Sequence, residues 1–238
     1  VVSITDTFTC CGYATVEDRR IRCHKTTGHG TETFTETVMN SCNPAFIEWG
    51  RRLGTDRFYE YFKTFGLMEK TGIDLPGEAS GIMHKKENIG AVELATISFG
   101  QSFQITPMQL LGAAASIVNG GHKIIPHFGM DILNEDGKVI QNLNYTTDKQ
   151  TISKETSDTM KEILWQVVEN GGGNKAYIEG YEIGGKTATS QKLPRGSGKY
   201  IASFVGFVPY NDPKVMAMCI INEPQGVYYG GTIAAPVI

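Results

Sequence analysis

"GGKTATSQK", Gly184 to Lys192, sets one lysine between a pair of glycines and two threonines. It is followed by "YIASFVGFVPY" and "KVMAMCIINEP", runs rich in Val, Ile, Phe and Tyr separated by turn residues, so three consecutive strands are predicted. Side chains alternate faces along a strand, which sends Lys186 and Ala188 one way and Thr187 and Thr189 the other. A bulge at Gly184-Gly185, or the close approach of another backbone there, would change that alternation or explain the glycines. Such a lysine and its hydroxyl neighbours at a strand edge suit a carboxylate or an amide carbonyl, while the strand backbone pairs with an extended ligand. A solvated surface strand is the plain alternative.

A second lysine motif, "EKTGID" at Glu69 to Asp74, is almost a copy, but it lies between the end of a helix and the turn "LPGEASG". Working outward, "SKETSDTMKEILWQVVENGG" predicts a long helix capped by Ser153, and Asp136-Gly137 between apolar runs predicts a hairpin. "ITPMQLLGAAASIVNGG" predicts a helix with Pro107 in its first turn, and "TDRFYEYFKTFG" one stopped by Gly66. Thr33 to Leu53 carries two helical faces broken at Asn43-Pro44, since proline disfavours helix in the residue before it. Residues 1–30 read as short strands and turns. Helices, a hairpin, a helix and then consecutive strands make an α+β fold, an antiparallel sheet with helices on its faces beside a mainly helical subdomain.

The chain has 238 residues, 40% of them apolar, enough for a sizeable core. Its net charge of −3, with acids and bases interspersed, offers no phosphate-neutralising stripe, so nucleic acid is excluded as a partner. No Gly-x-x-x-x-Gly-Lys or Gly-x-Gly-x-x-Gly pattern follows a strand in the way a nucleotide site requires. The longest apolar run, Leu110 to Val118, is too short to cross a bilayer, and "VVSITDTF" has no signal-peptide character. Any anchor is expected outside this chain.

"NSCNPAF", Asn40 to Phe46, supplies the second element: Ser41 and Asn43 bring a hydroxyl and an amide to a helix terminus. A capping role would suffice for either residue alone. Ser-x-Asn followed 145 positions later by Lys-Thr-x-Thr, however, matches two of the three elements of the penicillin-interacting serine enzymes. With "CHKTTGHGTETF", "KTGIDLPGE", "SFGQSFQITPMQL", "SFVGFVP" and "GGTIAAPV", the whole chain resembles the transpeptidase domain of class B penicillin-binding proteins, and is most similar to the sporulation-specific type of spore-forming Firmicutes.

That resemblance implies a penicillin-binding transpeptidase or serine β-lactamase-like fold over residues 1–238, with "KTGIDLPGE" a structural loop. It implies a D,D-transpeptidase that cross-links peptidoglycan stem peptides through a serine acyl-enzyme, binds β-lactams, works with a cell-wall glycosyltransferase and sits on the extracytoplasmic face of the membrane. Ser41 would relay a proton, Asn43 hold the substrate amide, Lys186 shape the potential, and Thr187 and Thr189 bind the terminal carboxylate. The third element, Ser-x-x-Lys, holds the nucleophile, and none of the eleven serines has a lysine three residues on. That element is therefore expected upstream of this chain, which would make the domain incomplete. A non-catalytic penicillin-recognising or wall-sensing module is the alternative. Ala188 stands where the family usually has glycine, and its methyl would crowd a ligand on that strand.

Four of the five cysteines precede position 43. Cys10, Cys11, Cys23 and His29 are candidate ligands of a tetrahedral zinc, with Asp18 as a substitute for one of them. A disulfide from Cys10 or Cys11 to Cys23, or free buried thiols, are the competing readings. Cys219, inside a strand, is expected in the core. No cofactor is expected for the catalysis itself.

Overall fold

The computed structural model describes residues 2–194 and 196–238. Four short strands open the chain: β1 (Thr7–Cys10), β2 (Tyr13–Val16), β3 (Arg19–Arg22) and β4 (Gly30–Thr33). They pair antiparallel as two separate ribbons, β1 with β4 and β2 with β3. Helices α1 (Phe34–Met39), α2 (Asn43–Leu53) and α3 (Thr55–Thr64) follow. Thr33 and Glu36 close a reciprocal capping box that starts α1 directly off β4. Pro44 sits in the first turn of α2, where its missing N–H is no loss, so the break expected at Asn43-Pro44 is the turn between α1 and α2.

Next come α4 (Ala91–Ser98), α5 (Pro107–Val118), an exposed hairpin of β5 (Asp131–Leu133) and β6 (Val139–Asn142), and the long α6 (Lys154–Glu169). Ser153 caps α6 by accepting the Thr156 N–H at 3.1 Å. Helix α4 is missing from the sequence reading above. Leu94, Ala95, Thr96 and Ile97 are buried in succession, so the helix shows no one-sided stripe to betray it.

The chain ends in β7 (Gly184–Gln191), β8 (Tyr200–Val208), β9 (Val215–Asn222) and the single turn α7 (Gly230–Ile233). The sheet order is β7-β8-β9, antiparallel throughout, which leaves β7 as an edge. Phe204, at the centre of β8, is fully buried among Val168 of α6, Ile183, Ala234 and Ala235. A second cluster, Val38, Ile163 and Val167, locks α1 onto α6. Burial of each such side chain contributes about 1.5–3 kcal/mol, and here it holds the turn after α1 at the sheet. The α+β architecture is thus as expected, and the predicted helices, hairpin and three strands are all present.

Candidate functional site

The register of β7 on β8 runs unbroken from Gly184↔Phe207 to Gln191↔Tyr200. The bulge considered at Gly184-Gly185 is therefore absent. Each glycine instead makes room for an aromatic ring, since a β-carbon at Gly184 would run into Phe207 and one at Gly185 into Phe204. Regular pairing preserves the alternation, so Lys186 and Ala188 share one face while Thr187 and Thr189 share the other. Gly180 to Thr187 does have the Gly-x-x-x-x-Gly-Lys-Thr spacing of a phosphate loop, but it runs into β7 and opens no helix.

Lys186 crosses 145 positions of sequence to hydrogen-bond Ser41, its Nζ donating to Ser41 Oγ, and it donates also to the Thr187 carbonyl at 3.0 Å. Among the described residues it has no carboxylate partner. Desolvation alone therefore acts on it, lowering its pKa to about 8. Ser41 sits in the turn after α1 with φ +49°, the left-handed region that non-glycine residues rarely occupy. In that conformation its hydroxyl reaches the Lys186 ammonium on β7. Asn43, two residues on, donates from Nδ2 to the Arg22 carbonyl at 3.3 Å, so it also fastens the turn to β3.

Thr189 Oγ1 accepts the Gly230 N–H at 3.0 Å, which pins α7 against the Thr187 and Thr189 side of the strand. Its hydroxyl proton remains available for an anion. Beyond Thr189 the end of β7 is lined by tyrosines the sequence reading did not single out: Tyr200 stacks on Tyr228 at 4.0 Å, and Tyr229 follows. The structure thus joins Ser41 to Lys186 at the free edge of the sheet, with Thr187 and Thr189 on the same strand and Asn43 two residues beyond Ser41.

The Lys70 motif lies elsewhere. Glu78 accepts from the Thr71 N–H and hydroxyl at 2.7 and 2.6 Å, and Asp74 accepts from the Phe128 and Gly129 N–H groups. Both carboxylates are held below the usual carboxylate range by these bonds, the Thr71 hydroxyl leading for Glu78 and the Gly129 amide for Asp74.

The cysteine-rich segment departs from expectation at one position. Cys10, Cys23 and His29 converge, but Cys11 is exposed, because it follows Cys10 directly and its side chain leaves by the opposite side. Its place is taken by Cys42, the middle residue of Ser-Cys-Asn. Asp18 is exposed in the turn between β2 and β3 and takes no part. All five cysteines are unpaired, so neither proposed disulfide to Cys23 is formed. The Cys42 thiol donating to Cys23 pulls Cys23 well below the ordinary thiol range, and the same pairing, with burial, pushes Cys42 up. Cys219 packs against the Phe204 cluster, as a core residue should.

Among solved structures, penicillin-binding protein 3 of Mycobacterium tuberculosis in complex with ampicillin superposes with TM-score 0.89 at 24% identity, over 99% of this chain and 55% of that one. A putative peptidoglycan glycosyltransferase of Atopobium parvulum gives TM-score 0.85 at 27% identity, over 99% and 56%. The chain belongs to the penicillin binding protein transpeptidase domain family, which it matches over residues 1–238. It is 42% identical to stage V sporulation protein D of Bacillus subtilis over 98% of its length, and 32% identical to the peptidoglycan D,D-transpeptidase FtsI of Escherichia coli over 86%. It spans 37% and 34% of those two proteins.

Proposed function

We propose that this chain is part of a peptidoglycan D,D-transpeptidase of the sporulation-specific type, which cross-links stem peptides through a serine acyl-enzyme and takes β-lactams in the same cleft. The observation that carries the reading is the contact of Lys186 with Ser41, which joins two motifs 145 residues apart at an open strand edge. In this reading the attacking serine belongs to a segment outside these residues. Its oxygen bonds to the carbonyl carbon of the penultimate D-alanine, and the C–N bond to the terminal D-alanine breaks.

The proton lost by the attacking hydroxyl reaches the departing amine through Ser41, and Lys186 supplies positive potential to the Ser41 hydroxyl. Thr187 and Thr189 donate to the terminal carboxylate, and an amide of β7 near Thr189 faces the oxyanion. The substrate backbone adds to the free edge of β7. Asn43, with Nδ2 on Arg22, offers its amide oxygen to a substrate N–H. An amine of a neighbouring strand then takes the acyl group. In this reading the place of action is the extracytoplasmic side of the membrane beside a glycosyltransferase partner; no described helix is long and apolar enough to cross a membrane.

The test uses the full-length protein with a fluorescent penicillin and with stem peptides carrying a D-Ala-D-Ala terminus. Labelling together with cross-linked product is the expected result. Labelling without cross-linking would favour a sensing module, and no labelling would sink both.

A further inference from the structure

We propose that Cys10, Cys23, His29 and Cys42 bind one structural Zn²⁺ ion, which ties the Ser41 turn to the N-terminal strands. One ligand atom from each of the four lies within 4.8 Å of all the others. Tetrahedral zinc with Zn–S near 2.3 Å and Zn–N near 2.0 Å needs ligand separations of about 3.3–3.8 Å. Cys23 Sγ and His29 Nδ1 already meet that at 3.6 Å, and the rest need a contraction of about 1 Å or less. Three thiolates and an imidazole make a soft, closed set, the type that holds structural zinc and leaves no open position for substrate.

Burial by itself would not require a metal. Cys10 and Cys23 are 2% exposed and Cys42 0%, beside Ala45 and Trp49, and buried thiols pack well as small apolar groups. Two polar residues at the same place argue against a plain thiol core. His29 brings an imidazole into it, and Glu32, 4% exposed, carries a carboxylate oxygen with no hydrogen-bond partner. That Oε2 lies 3.7 Å from His29 Nδ1. A buried carboxylate oxygen without a partner is costly, and this one stands beside the same imidazole nitrogen that faces Cys23, where a bound cation would offset the cost. The other oxygen of Glu32 accepts from Asn40 Nδ2 at 2.7 Å, one residue before Ser41.

The four ligands arrive from four separate places. Cys10 ends β1, Cys23 follows β3, His29 precedes β4, and Cys42 begins the turn into α2. Gly12 and Gly28, both at positive φ, let the loop after Cys23 lie against the Cys10 strand, where a β-carbon on either would strike backbone. A metal there cross-links two thin ribbons that bury few apolar groups of their own, and it does so through the residue between Ser41 and Asn43.

Metal content decides this without reference to catalysis. Full-length protein purified without added metal should carry about one zinc per chain by elemental analysis. Cys42→Ser and Cys10→Ser should each lose most of that zinc and melt lower, whereas Cys11→Ser should keep both zinc and melting temperature. Where a variant fails to fold, cobalt exchanged into the unaltered protein should show the thiolate charge-transfer and d–d bands of a tetrahedral site. Absence of zinc with two titratable thiols fewer than the cysteine count would overturn the proposal in favour of a disulfide. Absence of zinc with every thiol titratable and no cobalt spectrum would overturn it in favour of a plain core. Zinc lost on Cys11→Ser would overturn the ligand set.

Discussion

The two Lys-Thr motifs differ in what surrounds them far more than in what they spell. Lys70-Thr71-Gly72 lies in a loop whose threonine is saturated by Glu78 and whose Asp74 is saturated by the Phe128 and Gly129 amides. Its lysine is left in solvent, and its polar atoms are spent on holding the loop shut. Lys186-Thr187-Ala188 lies on an unshared strand edge, and its ammonium is desolvated against Ser41. A motif does chemistry when its hydrogen-bonding capacity is left over after the fold has been satisfied. That surplus is a property of the environment.

The sharpest way to break this comparison is substitution of both lysines in the full-length protein. Lys186→Ala should slow penicillin acylation about 10²–10³-fold, the effect of losing one preorganised electrostatic group. Lys70→Ala should leave the rate nearly unchanged, and equal losses would mean the two motifs were assigned the wrong way round.

The next effect is one of pH. Burial holds Lys186 near 8, below its ordinary value of 10.5, so the ammonium is present at neutral pH and is lost as pH rises through 8. Acylation should fall about tenfold for each pH unit above that point if the ammonium is the active form, and a rise in the same window would make the neutral amine a base instead. The linkage to stability has the opposite sense. A depressed lysine pKa means that the unfolded chain binds more protons, so the folding penalty is full below 8 and is relieved between 8 and 10.5. Lys186→Met removes that penalty and should melt no lower than the unaltered protein at pH 7.

Smaller again is the effect of the methyl at Ala188, which is exposed on the Lys186 face of β7. Ala188→Gly should raise acylation by β-lactams with bulky side chains roughly tenfold, the value of about one methyl group in a binding site, and change small penicillins little. Uniform change across both would place the methyl outside the ligand path. Smallest for the chemistry is Glu78→Ala, which opens the Lys70 loop. It should lower the melting temperature by about 2–4 °C and leave the acylation rate of the folded protein as it was. A lost acylation rate would give that loop a role in the cleft.

Much of this was readable from the amino acids. Ser153 before an amphipathic run, Pro107 in a first turn and Pro44 after Asn43 each act within one helical turn, and each was found where expected. The two site motifs were legible because Ser-x-Asn and Lys-Thr-x-Thr keep their residue types in order. Other features carried no local signal. Helix α4 is buried nearly all round, so its apolar residues show no period. Gly184-Gly185 leave a bulge and the close approach of another backbone equally open in the sequence, because the rings of Phe204 and Phe207, which require the glycines, come from another strand.

The cysteines show the boundary between the two kinds of information. The sequence by itself determined the element types, the order of the motifs and the excess of soft ligands before position 43, because caps, turns and periodicity depend on neighbours a few residues apart. Only the tertiary structure decided that Cys42 joins Cys10, Cys23 and His29 while Cys11 does not, and that Lys186 rather than Lys70 meets a serine. Cys10 closes β1 with a buried thiol while Cys11, the next residue, is exposed, so the two do not act as a pair however close they stand in the chain. Residues 145 positions apart meet only where helix packing carries the Ser41 turn to the edge of the sheet, and no local preference encodes that distance.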